Sequence, residues 1–232
     1  EMVIRDWSSD VCSSDLQLHF FIHLSHEIKT PLTLIINYFS SYTERQGMSR
    51  ELEIIKTNLD RLLSDIINFF DIFRWSRGQN IYIHDQTSDF SGLLCSKISL
   101  LSSSFKKKNL TIYTEISEPL LLKADPAALE RLILNLLDNS VKYSRDGGTI
   151  RVRAVTENND LVFSVEDTGP GIPEKNLSDI FLPYFRVTQS GERIEGLGVG
   201  LAFVKRITES LSGSIDCTRV PEGGSLFTVR VP

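Results

Sequence analysis

The sequence predicts an α plus α/β protein: an antiparallel helical hairpin that dimerises into a four-helix bundle, followed by an α/β sandwich. Three observations carry this. Two successive runs of apolar residues at helical 3–4 spacing lie before residue 77. Strand-like alternation dominates the remainder, and between its strands stands one long, well-capped, strongly patterned helix. The predicted divisions are residues 1–15, 16–77 and 78–232.

The first run places Phe21, Leu24, Ile28, Leu32, Ile35, Phe39 and Tyr42 on one seam. The segment QGMS at 46–49 then offers a glycine to end one helix and a serine to cap the next. A second seam follows through Leu52, Ile55, Leu59, Leu62, Ile66, Phe69 and Phe73. One antiparallel pair cannot cover two such stripes, and homodimerisation covers them. The alternative is a hairpin packed on the domain that follows it.

Beyond Gly78 the pattern predicts a helix near Phe90–Lys107 and strands at Leu110–Ile116 and Leu120–Lys123. A helix at Pro126–Tyr143 follows, with Asp125 as its cap and Pro126 in its first turn. Strands at Thr149–Val155 and Leu161–Glu166, a helix at Val199–Leu211 and a closing hairpin with Gly223-Gly224 in its connection complete the reading. Residues 1–15 have neither a signal-peptide layout nor a sustained period, and are read as a non-native or disordered leader.

Composition excludes several function classes. With 25 basic against 30 acidic side chains there is no global basic field for nucleic acid or an anionic membrane. No apolar run approaches the roughly 20 residues of a spanning helix. Cys12, Cys95 and Cys217 are far apart and form neither a metal-type nor a redox-type pair, which fits a reducing cytoplasm.

Chemistry concentrates in three places. On the predicted helix at 126–143, Asn135, Asn139 and Lys142 share one stripe at i, i+4 and i+7. Amide oxygens are hard ligands suited to Mg²⁺ and a lysine neutralises phosphate, although such a stripe alone is more often a solvated face. DTGPGIP at 167–173 follows a strand, with Asp167 able to accept from an exocyclic amine and Gly169 and Gly171 permitting close approach. By itself it is equally a tight turn. GLGVGLAFVK at 196–205 runs three alternate glycines, Gly196, Gly198 and Gly200, into a helix start that suits a polyphosphate. It is neither a dinucleotide fingerprint nor a Walker-type loop.

SHEIKTPLT at 25–33 sets His26, Glu27 and Thr30 on the first helix. His26 lies two residues from seam position Ile28, about 200° around the helix, and so points largely away from the seam. Pro31 releases the carbonyl of Glu27 and loosens the helix beside His26. Glu27 can orient or deprotonate the imidazole, and Thr30, one turn along, can hold a water. His19, His23 and His84 read as ordinary surface histidines.

In this order the motifs resemble the transmitter core of sensor histidine kinases, over about residues 18–231. The resemblance implies a dimeric phosphoacceptor bundle followed by a Bergerat-type sandwich, the ATP-binding fold shared by histidine kinases, chaperones and topoisomerases. It implies His26 as phosphoacceptor, Glu27 as acid/base partner and Thr30 in the position used for phosphatase activity. ERLILNLLDNSVKYS at 130–144 resembles the asparagine box, which assigns Asn139, with Asn135, to Mg²⁺, Lys142 to a phosphate and Tyr143 to the adenine. DTGPGIP resembles the first glycine box, with Asp167 on the adenine amine. GLGVGL at 196–201, through Gly196, Gly198, Gly200 and Leu201, resembles the second, which closes over the phosphates. IFLPYFRV at 180–187 resembles the phenylalanine box and puts Arg186 near the γ-phosphate. Lys29 stands where arginine is common, and Tyr184-Phe185 reverses the usual order.

The implied cofactors are ATP and Mg²⁺, and the implied partners are a second copy and a response-regulator receiver, separate or fused. The implied location is the cytoplasmic side of a full-length protein anchored in the inner membrane through segments outside this sequence. Two rivals stand beside the kinase: a chaperone- or topoisomerase-type ATPase, which needs a glutamate where Asn135 stands, and a dimerisation scaffold with a decayed ATP site.

Overall fold

The computed structural model describes residues 7–187, 197–221 and 223–232, with side chains from Glu27 onward. The side chains of seam positions Phe21 and Leu24 and of His26, and Gly196 with the loop before it, lie outside the described part. The chain divides into two compact units, Glu1–Ile81 and Tyr82–Pro232.

The first unit is a pair of helices, α1 (Trp7–Gln46) and α2 (Arg50–Ser76), packed along one another. Helix α1 begins at Trp7, nine residues ahead of residue 16, where the predicted helical domain starts, and continues through Pro31. It ends at Gly47, which takes φ +85° and donates its N–H to the Thr43 carbonyl. Ser49 then caps α2, its Oγ accepting from the N–H of Leu52. At the far end Gly78, at φ +74°, lets Gly78 and Gln79 donate back to the carbonyls of Trp75 and Arg74.

The second unit is a two-layer α/β sandwich. Its main sheet has the order β2 (Thr111–Ile116), β4 (Thr149–Glu157), β5 (Asp160–Asp167), β7 (Ser225–Val231), β6 (Ser214–Arg219). β2 and β4 run parallel and every other neighbouring pair antiparallel. A small ribbon pairs β1 (Thr87–Asp89) with β3 (Leu121–Lys123). Helices α3 (Phe90–Leu100), α5 (Pro126–Tyr143) and α6 (Gly200–Ser210) supply the other layer. The predicted helix at 90–107 is interrupted at Leu101, and α4 (Ser102–Lys107) follows it. Three consecutive serines, weak helix formers, stand at that break.

The core lies between these layers. Leu129, Leu132, Ile133, Leu136 and Leu137 of α5 are fully buried, as are Phe203 and Ile207 of α6 and Ile150, Val152 and Phe163 of the sheet. Phe90 meets Phe163 edge to face at 5.2 Å. With its apolar face so fixed, α5 has one rotational setting, and that setting fixes its polar stripe.

Candidate functional site

The polar stripe of α5 is held from both ends. At the start Asp125 Oδ1 accepts from the N–H of Ala127 at 2.9 Å, and Pro126 occupies the first turn. At the finish the ammonium of Lys108 donates to the carbonyls of Val141, Lys142 and Ser144 at 2.9, 2.9 and 3.1 Å. A cation on three carbonyls at a helix C-terminus satisfies orphan acceptors and complements the dipole. Lys108 was not singled out by sequence, since the KKK run at 106–108 has the composition of a solvated face.

On this helix Asn135 and Asn139 are half-buried and Lys142 is exposed. The Asn135 amide donates to the Arg131 carbonyl at 2.8 Å. Its Oδ1 stands so close to Gly200 that a Cβ there would come within 2.6 Å of it. The first residue of α6 is therefore a glycine because an amide of α5 occupies the space of its side chain. The Lys142 ammonium lies 5.3 Å from the centre of the Tyr143 ring.

β5 delivers Asp167 to the end of the same helix, 4% exposed, with Oδ1 accepting from the Gly169 N–H at 2.7 Å. Burial pushes the Asp167 carboxyl above its ordinary range. The N–H groups of Gly169 and Ser225 work against this, and Glu166 adds to it. Gly169 has no room for a side chain, because a Cβ would lie 2.6 Å from the Tyr143 carbonyl oxygen. Gly171 sits against Gly224 in the β6–β7 connection.

The segment before α6 closes the group. Gly198, at φ +72°, accepts at its carbonyl from the Tyr184 N–H at 3.0 Å. A Cβ on Gly198 would come within 2.8 Å of the Phe185 carbonyl and 2.9 Å of Arg186 Cγ. Tyr184 itself takes φ +65°, a rare setting for a bulky residue, at the position where the aromatic order is reversed. Burial raises the pKa of Tyr143, and the Arg186 charge opposes that rise. Leu201 follows, half-buried in the first turn of α6.

The fold thus draws Asn135, Tyr143, Asp167, Gly169, Gly198, Gly200 and Arg186 together from four stretches of chain, with Asn139 and Lys142 on the same helix. His26, Glu27 and Thr30 lie on α1, in the other unit, with Glu27 and Thr30 exposed. Their helix carries Pro31 and yet runs on to Gln46. Among the described residues, no cluster of three or more His, Cys, Asp or Glu side chains is placed to hold a metal ion, and no helix is long and apolar enough to cross a membrane.

Helical hairpin and sandwich each have a known counterpart. Residues 124–232 match the family of histidine kinase-, DNA gyrase B- and HSP90-like ATPases, and residues 16–78 match the His Kinase A phospho-acceptor domain. A phosphoacceptor hairpin followed by this sandwich defines a two-component transmitter core. The chain belongs to the sensor histidine kinases, as such a core. It is 31% identical to the sensor histidine kinase TmoS of Ectopseudomonas mendocina, across 100% of this chain and 24% of that protein. It is 30% identical to the sensor protein TorS of Escherichia coli K12, across 95% of this chain and 24% of that protein. Among solved structures, full-length ShkA in complex with AMPPNP superposes with a TM-score of 0.71 at 26% identity, covering 92% of this chain and 45% of that one. The chain spans about a quarter of the length of TmoS and TorS.

Proposed function

We propose that this core binds ATP in the sandwich and transfers its γ-phosphoryl group to a ring nitrogen of His26. The group then passes to an aspartate of a response-regulator receiver. The observation that carries the reading is the placement of Asn135, an amide, against the glycine start of α6. A hydrolase of this fold would need a carboxylate there to activate water, so the site suits transfer to a protein nucleophile better than hydrolysis.

The residues fit both nucleotide and metal. Asp167, buried and anchored by Gly169, would accept from the adenine amine, with Tyr143 packed along the ring. The glycines at 169, 198 and 200 let the Tyr143 carbonyl, the Phe185 carbonyl and the Asn135 amide stand where side chains would otherwise be, which draws these stretches together around the site. Asn139, with Asn135, offers the hard oxygen donors that Mg²⁺ takes, and the ion would neutralise phosphate charge. Lys142 and Arg186 would hold the phosphates in line for attack, and positioning with charge neutralisation is what this transfer requires. On α1, Glu27 would orient or deprotonate His26. Thr30 would hold the water for phosphatase action on the regulator.

The working form is a homodimer joined through the helical unit. Its full-length parent would be anchored in the inner membrane with this core in the cytoplasm. The deciding experiment is incubation with γ-labelled ATP, followed by acid and alkali. Label on the wild type that is acid-labile and alkali-stable, and that is lost in His26→Gln while nucleotide binding is kept, is the expected outcome. Undiminished label on His26→Gln would move the acceptor elsewhere, and a wild-type chain that takes no label and binds no ATP would leave the scaffold.

A further inference from the structure

Tyr82, the first residue of the sandwich unit, is bonded to the helix that carries the asparagines. Its phenolic oxygen accepts from Arg131 Nη1 at 3.0 Å. The next two residues land on the same helix end: the Ile83 N–H donates to Asp125 Oδ2 at 3.4 Å, and His84 Nδ1 accepts from the Asp125 N–H at 3.1 Å. His84 Nε2 meets Ser210 Oγ, at the last residue of α6, at 2.9 Å. Three consecutive residues therefore tie the start of this unit to both α5 and α6.

Arg131 is the central member. Its guanidinium carbon lies 3.3 Å from the centre of the Phe203 ring, a fully buried side chain of α6, while its Nη1 reaches Tyr82. Its own carbonyl accepts the Asn135 amide, whose Oδ1 faces Gly200. One arginine thus spans the incoming chain, α5 and α6, within a turn of the asparagine that faces the glycine start. A planar fork can stack and donate at once, which a lysine or an aliphatic side chain cannot.

We propose that Arg131 is a positioning residue for the phosphate and metal end of the nucleotide site, and that Tyr82 is the point through which the incoming chain acts on it. Displacement of Tyr82 withdraws an acceptor from the guanidinium stacked on Phe203. The spacing of α5 and α6 then relaxes, and with it the setting of the Asn135 amide against Gly200. The adenine end, built by Asp167 at the end of β5 and Gly169 in the turn after it, is not part of this chain of contacts. Arg131 would touch neither substrate nor metal.

The inference rests on the kinase reading, and the test separates the two. AMPPNP binding is measured by calorimetry on the whole 232-residue chain over a Mg²⁺ series and in EDTA, for wild type, Tyr82→Phe and Arg131→Lys. Tyr82→Phe removes one oxygen and leaves the packing in place. The expected result is that the half-saturating Mg²⁺ concentration rises in both variants by roughly two- to tenfold, the worth of one side-chain hydrogen bond, while affinity in EDTA is unchanged. An unchanged Mg²⁺ requirement overturns the proposal. Equal weakening with and without Mg²⁺ also overturns it, since that is the signature of a merely structural role. A wild-type chain that binds no AMPPNP at any Mg²⁺ concentration overturns the kinase reading, and this inference with it.

Discussion

Asp167 Oδ1 accepts the backbone N–H of Gly169 at 2.7 Å, inside a turn so tight that the Tyr143 carbonyl fills the place of a Gly169 side chain. One carboxylate oxygen is thereby committed to the loop, the Ser225 N–H is a second backbone donor to the carboxyl, and the acceptor capacity that remains is what a ligand amine would meet. Asp167→Asn can keep the first bond through its own Oδ1 but turns the second atom from acceptor to donor. Calorimetric affinity for ATP should fall by more than about tenfold, because a site built to pair an amine then presents a like donor. Affinity within twofold of wild type would exclude Asp167 from adenine recognition.

The same substitution has a pH signature without nucleotide. The Asp167 carboxyl titrates above its ordinary 3.8 because burial disfavours the charged form. A folded-state pKa above the unfolded one means the native protein binds the proton more tightly. Its contribution is therefore fully present below about 3.8 and is lost as pH rises through the folded value. Asp167→Asn should melt higher than wild type at pH 7, and the gap should close as pH falls towards 4. A gap that stays constant across this window would show that the carboxylate is not penalised by burial.

Gly200→Ala opposes two effects of comparable size. Alanine is favoured over glycine in a helix by about 1 kcal/mol, yet its Cβ would stand 2.6 Å from Asn135 Oδ1. The amide must swing off the Arg131 carbonyl to make room. Stability to urea should therefore change by less than about 1 kcal/mol, while Mg·ATP affinity drops on the order of tenfold. If stability and affinity are both unchanged, the contact between α5 and α6 does not shape the site.

Lys108→Met tests the cap at the other end of α5. It removes a donor shared by three carbonyls and leaves the aliphatic stem, so the loss is electrostatic rather than steric. About 2 kcal/mol of stability should disappear, combining charged hydrogen bonds with the helix dipole. Urea titration measures it, and a midpoint unchanged from wild type would make the three carbonyl contacts dispensable.

What was legible in the sequence divides along physical lines. Helix α5 is read to the residue, because Asp125-Pro126 marks its start and Leu129, Leu132 and Leu136 repeat at its period. Gly47 and Ser49 likewise mark the turn between α1 and α2. Strand β1 was not read, since three polar residues, Thr-Ser-Asp, cannot display an alternation. The glycine motifs of the site are local and visible. What makes Gly200 necessary is an amide 65 positions earlier, a relation that only the fold supplies. Arg131 and Lys108 were passed over for the opposite reason: each is one charge among neighbours, and its partners are backbone carbonyls or residues distant in sequence.

The helical unit leaves an apolar row uncovered, and that row is the basis of the last prediction. On α2, Leu52, Leu59, Ile66 and Phe73 are half-buried, whereas Ile55, Leu62 and Phe69, at heptad spacing, are 46%, 49% and 47% exposed. On α1 the matching residues are Ile35 and Tyr42, seven apart, at 52% and 54%. Two rows per helix are what a four-helix arrangement needs, one for the hairpin partner and one for a second hairpin. Burying a leucine contributes about 1.5–3 kcal/mol, and in a two-fold dimer each substitution acts twice. Leu62→Glu replaces that gain with the cost of burying a charge, so the dimer dissociation constant should rise at least about a hundredfold. Sedimentation equilibrium over a concentration series measures this, with ATP binding by the sandwich as the control for folding. A monomeric variant that still binds ATP is the expected outcome. A dimer of unchanged affinity would place the subunit interface on another face of the molecule.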